Sequence, residues 1–200
     1  MVKINLFLAL YFSFLCTLYS QNKIGLSTSL HYSGIIRNNN VLSDDFNSFL
    51  GIDINYKIPS KNEALNFYAG FCGDFYLGRA KENSLTKLDT ENSFLWNPYG
   101  KISYFVLPKK MQLGLSIGYA KLHKSMKVNQ WIPTFYDPSD PLINYSSVRN
   151  LEFDYSSISI SPEVKMFIKK DLFTQVNYRY IPFGDNINFH TLNLGLGYHF

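Results

Sequence analysis

The stretch LNLGLGYHF, residues 192–200, alternates strictly between large apolar residues and small or polar ones. Leu192, Leu194, Leu196 and Tyr198 form one row, and asparagine, glycine and histidine stand between them. Alternation with a period of two is typical of a β-strand whose two faces meet different environments. A row that is half glycine suits a narrow, crowded space better than open water. The other segments of the chain are needed to determine which row faces inward.

The same alternation recurs in seven further segments, so the sequence predicts an all-β protein. These segments are 24–32, 50–58, 65–75, 101–106, 111–119, 158–168 and 172–180. A tilted strand crosses a bilayer with roughly 9 to 11 residues, which is the length of most of these rows. Short connections at 59–64, 107–110 and 169–171 alternate with long ones at 33–47, 78–93 and 123–150. This layout predicts an eight-stranded antiparallel up-and-down transmembrane β-barrel.

The composition of the second row indicates which face is inside. It consists mainly of glycine, serine and asparagine with few charges, which is a poor surface for water but a suitable lining for a narrow polar lumen. The small residues leave room for the larger members of the row, Tyr68, Phe105 and Phe167. We therefore predict that the apolar rows face lipid. The alternative is a soluble lipocalin-like ligand carrier with the apolar rows inside.

Residues 1–20 have the pattern of a signal peptide. Lys3 precedes an apolar run over 4–15, and Ser20 ends a zone suited to cleavage. The run is shorter than the roughly 20 apolar residues of a transmembrane helix. We expect cleavage after Ser20, which leaves 21–200 as a single barrel domain. Cys72 would then be the one remaining cysteine, so no intramolecular disulfide is expected.

Charge and motif content argue against several function classes. The formal charge is +4, and the basic doublets at 109–110 and 169–170 are too few for a nucleic-acid footprint. The sequence has no glycine-rich phosphate loop and no histidine or cysteine spacing typical of zinc sites. We predict no cofactor, no metal and no nucleic-acid partner.

With these features the chain from 21 to 200 resembles the small eight-stranded outer-membrane β-barrel protein family. The resemblance rests on the architecture and on the ending that contains Leu196, Tyr198 and Phe200. In that family such an ending is similar to the signal that the barrel-assembly machinery reads. The resemblance implies a monomer in the outer membrane of a Gram-negative bacterium, with this machinery and outer-membrane lipids as partners. Pro162 departs from the pattern, because proline cannot donate to a ladder, and we expect a bulge or a bend there.

Four charged residues of the inward row, Asp53, Lys101, Glu163 and Arg179, are expected at similar depth. Buried charges must be paired, so we predict a neutral interior cluster of two acids and two bases. An eight-stranded barrel is just wide enough for side chains to fill it, so the cluster is interpreted as a structural plug. The alternative is an ion path, which would make the protein a narrow channel or transporter for small solutes.

Two histidine–serine pairs are candidates for catalytic residues. His31 with Ser33, and His123 with Ser125, have a spacing that resembles the histidine and serine of lipid A deacylases built on similar barrels. A nucleophile needs a base, an orienting acid and an oxyanion site, and no acid can be placed beside either pair. We predict no catalytic residue, and a lipid A-modifying enzyme stays a lesser alternative.

The predicted loop over 123–150 is the most individual segment of the chain. It contains prolines and several aromatic residues, among them Trp131, Phe135 and Tyr136. Exposed aromatics beside prolines are typical of a rigid recognition surface, although they could equally pack over the barrel mouth. The sequence thus favours a non-enzymatic integral outer-membrane protein that gives envelope structure or contacts an extracellular ligand or protein through its long loops.

Overall fold

The computed structural model describes residues 25–36, 41–60, 64–82, 86–131, 145–184 and 187–200. Its elements in chain order are β1 (Leu26–Ile36), α1 (Val41–Asp45), β2 (Phe46–Asn47), β3 (Phe49–Ile58), β4 (Leu65–Gly78), β5 (Ala80–Glu82), β6 (Thr86–Thr90), β7 (Ser93–Leu107), β8 (Met111–Trp131), β9 (Tyr145–Phe167), β10 (Leu172–Pro182) and β11 (Asn188–His199). Within these residues, no helix combines the length and the apolar character needed to cross a membrane. The predicted signal peptide, residues 1–20, lies outside the described residues.

Eight of the strands form a closed antiparallel barrel. Its neighbours in order are β1, β3, β4, β7, β8, β9, β10 and β11, and β11 pairs in turn with β1. β11 closes the ring, because its Leu196 lies opposite Leu30 of β1 and Thr174 of β10. The predicted eight-stranded up-and-down barrel is confirmed.

The apolar rows face outward and the polar rows face the lumen. Ile117 is 58% exposed and Leu194 is 50% exposed, whereas Asn66, Asn97 and Asn193 are buried. An apolar outside around a polar inside requires lipid rather than water as the surrounding solvent. The predicted assignment of faces is confirmed, and the lipocalin-like alternative, which needs the opposite assignment, is wrong.

Glycine in the inward row makes room for large interior side chains. A Cβ atom at Gly51 would lie 2.3 Å from both Asp74 Oδ1 and His31 Nε2, and one at Gly70 would lie 2.5 Å from the Tyr99 ring. Side chains that cross the lumen therefore occupy the space that a larger residue would need. This packing is expected of a barrel of eight strands.

Pro162 fits into β9 without the expected bulge. It lies opposite Leu115, and the ladder between β8 and β9 continues through it in one register. On the other side, β9 pairs with β10 at Glu163 and again at Ile160, and the two residue pairs between them are skipped. The register is the same on both sides of this gap, so the missing N–H is accommodated by a local interruption of the ladder.

The outer end of the barrel differs from the predicted loop over 123–150. β8 continues to Trp131, β9 begins at Tyr145, and the two strands stay paired over this length. β5 and β6 form a hairpin, and β6 pairs with β8 from Thr90 opposite Met126 outward. We call the four-stranded unit made of β5, β6, residues 121–131 and residues 145–155 the protruding sheet. At roughly 3.3 Å per residue it extends roughly 30 Å along the strands.

An apolar cluster closes the outer mouth, and we call it the outer cap. Within the predicted loop over 33–47, α1 and β2 place Leu42 and Phe46 over the lumen, and both side chains are buried. The Tyr76 ring packs between Phe46 and Phe189, with ring centroids 6.2 Å and 5.4 Å away. The other buried members are Leu95, Ala120, Leu122 and Ile181.

Candidate functional site

Beneath the outer cap, side chains from three strands meet around one arginine. The Arg179 guanidinium of β10 donates to Asp74 Oδ2 of β4 and lies 2.8 Å from Cys72 Sγ. His31 Nε2 of β1 is 2.6 Å from Asp74 Oδ1. All four side chains are buried, so the ion pair and its hydrogen bonds are shielded from solvent. We call these four residues the Arg179 cluster.

The Arg179 cluster contains three potential metal ligands. The ligand atoms of His31, Cys72 and Asp74 lie within 4.8 Å of one another. Nitrogen, sulfur and oxygen donors of this kind suit a transition metal. However, Arg179 contacts both Asp74 and Cys72, and a guanidinium opposes a second cation at the same atoms. The arrangement therefore fits an internal hydrogen-bond network better than a metal centre.

A second ion pair lies deeper in the barrel. Lys101 Nζ is 3.0 Å and 3.3 Å from the two carboxylate oxygens of Glu163. Tyr99 donates to Asp53 Oδ1 at 2.6 Å, and Asn55 Nδ2 donates to the same oxygen at 3.1 Å. Lys101, Glu163 and Asp53 are buried. Lys101, Glu163 and Asp53 thus each have a hydrogen-bonded partner in the middle of the lumen.

The structure divides the predicted group of Asp53, Lys101, Glu163 and Arg179. Lys101 and Glu163 form an ion pair, whereas Asp53 accepts a hydrogen bond from the Tyr99 hydroxyl. Arg179 pairs instead with Asp74, a residue of the inward row of β4 that is outside the predicted group. Alternation along β4 places Asp74 on the inward row, so its lumenal position could be read from the sequence. Its depth in the barrel relative to Arg179 could not, because that depth depends on the register of the strands.

A third charged group joins the outer cap to the protruding sheet. Asp45, at the end of α1, accepts hydrogen bonds from Lys124 of β8 and from Lys81 of β5, the latter at 2.9 Å. Asp45 and Lys124 are buried, and Lys81 is 41% exposed. These contacts fix the small helix across the mouth.

The two histidine–serine pairs have different surroundings, and the expectation that neither has an acid beside it is wrong, because Asp74 contacts His31 and Asp154 contacts His123. Ser33 Oγ lies 2.9 Å from the Tyr76 hydroxyl, and both Ser33 and His31 are buried under the outer cap. His123 lies on the exposed face of the protruding sheet, where its Nδ1 is 3.0 Å from Asp154 Oδ1. This hydrogen bond holds the pKa of Asp154 below its ordinary value. Neither histidine is hydrogen-bonded to the serine two residues later within the described contacts.

The inner end of the lumen, at the short turns, opens into a cavity of about 280 Å³. It is lined by Ser27, Lys57, Tyr68, Phe105, Lys109, Gln112, Lys165, Phe167, Lys170, Phe173 and His199. We call this cavity the inner mouth. Four lysines and no acidic residue are among its lining residues. The predicted large interior residues Tyr68, Phe105 and Phe167 all belong to its wall.

The residues of the predicted assembly signal lie on β11 and just beyond it. Leu196 is 54% exposed on the lipid face, and the rings of Tyr198 and Phe200 meet edge to face at 4.9 Å. The Phe200 amide donates to the Leu26 carbonyl at 2.8 Å, which holds the final residue against β1. Among the predicted recognition residues, Phe135, Tyr136 and the side chain of Trp131 lie outside the described residues.

Comparisons with known proteins agree with this architecture. The family model described as outer membrane protein beta-barrel domain matches residues 7–200. The crystal structure of Ail, the attachment invasion locus protein of Yersinia pestis, is 14% identical, with 88% of this chain and 96% of that chain covered and a TM-score of 0.56. The structure of Ail in complex with the heparin analogue sucrose octasulfate has the same identity and coverage and a TM-score of 0.53.

The N-terminal β-barrel domain of OprF from Pseudomonas aeruginosa is 10% identical, with 90% of this chain and 100% of that chain covered and a TM-score of 0.51. At these identities the structural likeness shows the fold alone. Comparison with curated protein sequences gives no match. The family match, together with the lipid-facing apolar rows, places the protein in the Gram-negative outer membrane. The chain belongs to the outer membrane protein beta-barrel domain family.

Proposed function

We propose that the protein is a non-enzymatic, monomeric barrel that displays the protruding sheet as a contact surface outside the cell. The observation that carries this proposal is the length of β8 and β9, which stay paired well beyond the lipid-facing rows. Segments that connect the elements of a rigid scaffold carry a disproportionate share of binding residues. A paired sheet at this place offers a surface of fixed shape.

The free side of β9 supports this proposal. β9 pairs with β10 only between Ile160 and Phe167, so within the described residues the side of 149–156 that faces away from β8 has no strand partner. Residues 149–154 are exposed on both faces, including Leu151 and Phe153 at 39% each. An open strand edge can pair with an added strand, and apolar side chains next to it add contact area.

The charges of the protruding sheet favour a protein partner over a polyanion. Lys127 lies 3.2 Å from Glu91, which follows β6 directly, and His123 lies 3.0 Å from Asp154, so both basic groups stand beside acidic ones. The relative Ail was crystallised with a heparin analogue. Basic groups that already lie beside carboxylates give little attraction for such a ligand.

The interior supports an anchoring role rather than conduction. The outer cap covers the lumen with apolar side chains, and Arg179 and Lys101 are neutralised by their carboxylate partners below it. An ion path needs sites that an ion can enter and leave. The buried position of His31 and Ser33 under the same cap also gives a lipid substrate no access to them.

The test compares the full mature chain with a variant in which a short turn replaces residues 126–150. Both proteins should reach the outer membrane and show the gel shift on heating that is typical of small barrels. Cells with the full chain should adhere to a serum-protein-coated surface, and cells with the variant should not. Equal adhesion, or stepwise conductance of the full chain in a planar bilayer, would contradict the proposal.

A further inference from the structure

The buried lysine of the inner mouth differs from the other buried bases of the barrel. Lys165 is 2% exposed, and its Nζ lies 4.1 Å from the centre of the Phe173 ring and 5.8 Å from that of Tyr68. Within the described residues it forms no ion pair and no hydrogen bond. Glu163, two residues earlier, is already engaged with Lys101. A buried ammonium is costly unless it is paired, so Lys165 has an unmet capacity for an anionic partner.

Three further lysines surround the same cavity, and they come from separate parts of the chain. Lys57 lies on β3, Lys109 in the turn between β7 and β8, and Lys170 in the turn between β9 and β10. The two turns are held together by the Phe167 amide, which donates to the Lys110 carbonyl at 2.8 Å. Like charges that converge on one cavity with low-dielectric walls concentrate an attraction for anions.

The walls of the cavity indicate the chemical character of the rest of the ligand, beyond its anionic group. The rings of Phe105, Phe167 and Phe173 form a continuous apolar wall, with successive centroids 5.9 Å apart. Lysine acts on phosphate as a point charge, whereas bidentate recognition of a carboxylate favours arginine, which is absent from the lining. A cavity of about 280 Å³ accepts a small molecule or a headgroup rather than a polymer.

We propose that the inner mouth binds a phosphate group that is attached to an apolar or aromatic body. Lys165 would meet the phosphate at the base of the cavity, the three rim lysines would surround it, and the aromatic wall would contact the rest of the molecule. Two sources share this chemistry, the headgroup region of an inner-leaflet phospholipid and a soluble organic phosphate of the periplasm. This inference is independent of the protruding sheet, which lies at the other end of the barrel.

The probe is phenyl phosphate, titrated calorimetrically into the refolded mature chain in dodecyl maltoside, a detergent without phosphate. Saturable binding is expected, and Lys165→Met should weaken it about tenfold or more, as loss of a charge-assisted contact does. The matched control is Lys110→Met, which removes an equal charge from an exposed position next to Lys109, in the turn between β7 and β8, that does not line the cavity. Equal weakening by both variants, or none by Lys165→Met, would overturn the site.

A second variant covers a failure of Lys165→Met to refold, which the gel shift on heating would reveal. The double variant Lys57→Met with Lys170→Met changes only rim lysines that are not buried, so it should fold and lose most of the binding. Unchanged binding in this variant would contradict the proposal.

The source of the phosphate is distinguished by the surrounding lipid. If a headgroup occupies the inner mouth, phenyl phosphate should bind more weakly to the barrel in phosphatidylglycerol nanodiscs than in maltoside micelles. If the ligand is a soluble phosphate, the two affinities should agree. No saturable binding in either medium would reject the site altogether.

Discussion

The middle of the lumen and the inner mouth differ in whether their buried basic side chains have carboxylate partners. In the middle, Arg179 pairs with Asp74 and Lys101 pairs with Glu163, so each base has a carboxylate within contact distance. At the inner mouth Lys165 is just as buried but rests on the face of Phe173. Within the described residues, the bases of the paired region are already neutralised by carboxylates, so we expect this region to stabilise the barrel rather than to bind an anion. The region without internal partners is where the molecule can accept one.

The largest expected effect comes from breaking a paired charge. Arg179→Met leaves Asp74 buried without its guanidinium partner, beside His31 and Cys72, and loss of one partner of a buried pair costs about 3–5 kcal/mol. The measurement is urea unfolding of the refolded barrel in lipid vesicles. The double variant Arg179→Met with Asp74→Asn should recover much of the loss. A single variant as stable as the parent would show that the pair does not stabilise the barrel.

Two lysines of the lumen, one with and one without a carboxylate partner, test this difference directly. Lys101→Met should destabilise the barrel by about 3 kcal/mol, because it leaves Glu163 buried without its counter-ion. Lys165→Met should leave stability unchanged or raise it, since it removes a buried charge that has no carboxylate partner in the described structure. Both variants are measured by the same unfolding assay. If the two behaved alike, the distinction between the paired region and the inner mouth would be wrong.

Packing between the strands gives a smaller expected effect. Gly51→Ala places a Cβ atom 2.3 Å from Asp74 and His31, so side chains must shift at an expected cost of about 1–3 kcal/mol. The matched control is Gly100→Ala on the lipid face, where an added Cβ meets nothing within 4 Å. Unfolding free energies in vesicles should fall for the first variant only. A similar loss in both would point to backbone effects of glycine rather than to crowding in the lumen.

The smallest effect is expected outside the membrane. The hydrogen bond from His123 lowers the pKa of Asp154, so any stabilisation it gives exists above the unfolded-state pKa and is lost as the pH falls through the folded-state pKa. Both side chains are exposed, and solvent screening removes most of this contribution. Asp154→Asn should therefore leave the unfolding curve unchanged from neutral to mildly acidic pH. A clear pH-dependent difference would mean that the protruding sheet supports the barrel.

Much of the barrel was predictable because its signal is local. Alternation within each segment identifies a strand and its two faces without knowledge of any other strand, and this was enough to assign lipid and lumen. The partner of a charge is a different kind of information. Arg179 contacts Asp74 because of the register and tilt of strands far apart in sequence, and neither can be read from a single row.

The outer end was harder to predict for two physical reasons. In the outer part of β8 the alternation persists, with Leu122 and Met126 buried and His123 exposed, but both rows contain polar residues and look like a loop. The outer cap depends on α1, whose five residues are too few to show helical periodicity. Leu42 and Phe46 are core residues only because the barrel mouth lies beneath them.

The pairing of β1 with β11 also has a consequence for how the protein is made. Ser27 and His199, which are hydrogen-bonded across this seam, lie 172 residues apart, so the ring cannot close until nearly the whole chain is available. Every earlier intermediate has two open strand edges, and lipid cannot satisfy their backbone groups. Contacts of such long range also make folding slow. Insertion must therefore follow synthesis, and the first and last strands must be held together while the ring is completed.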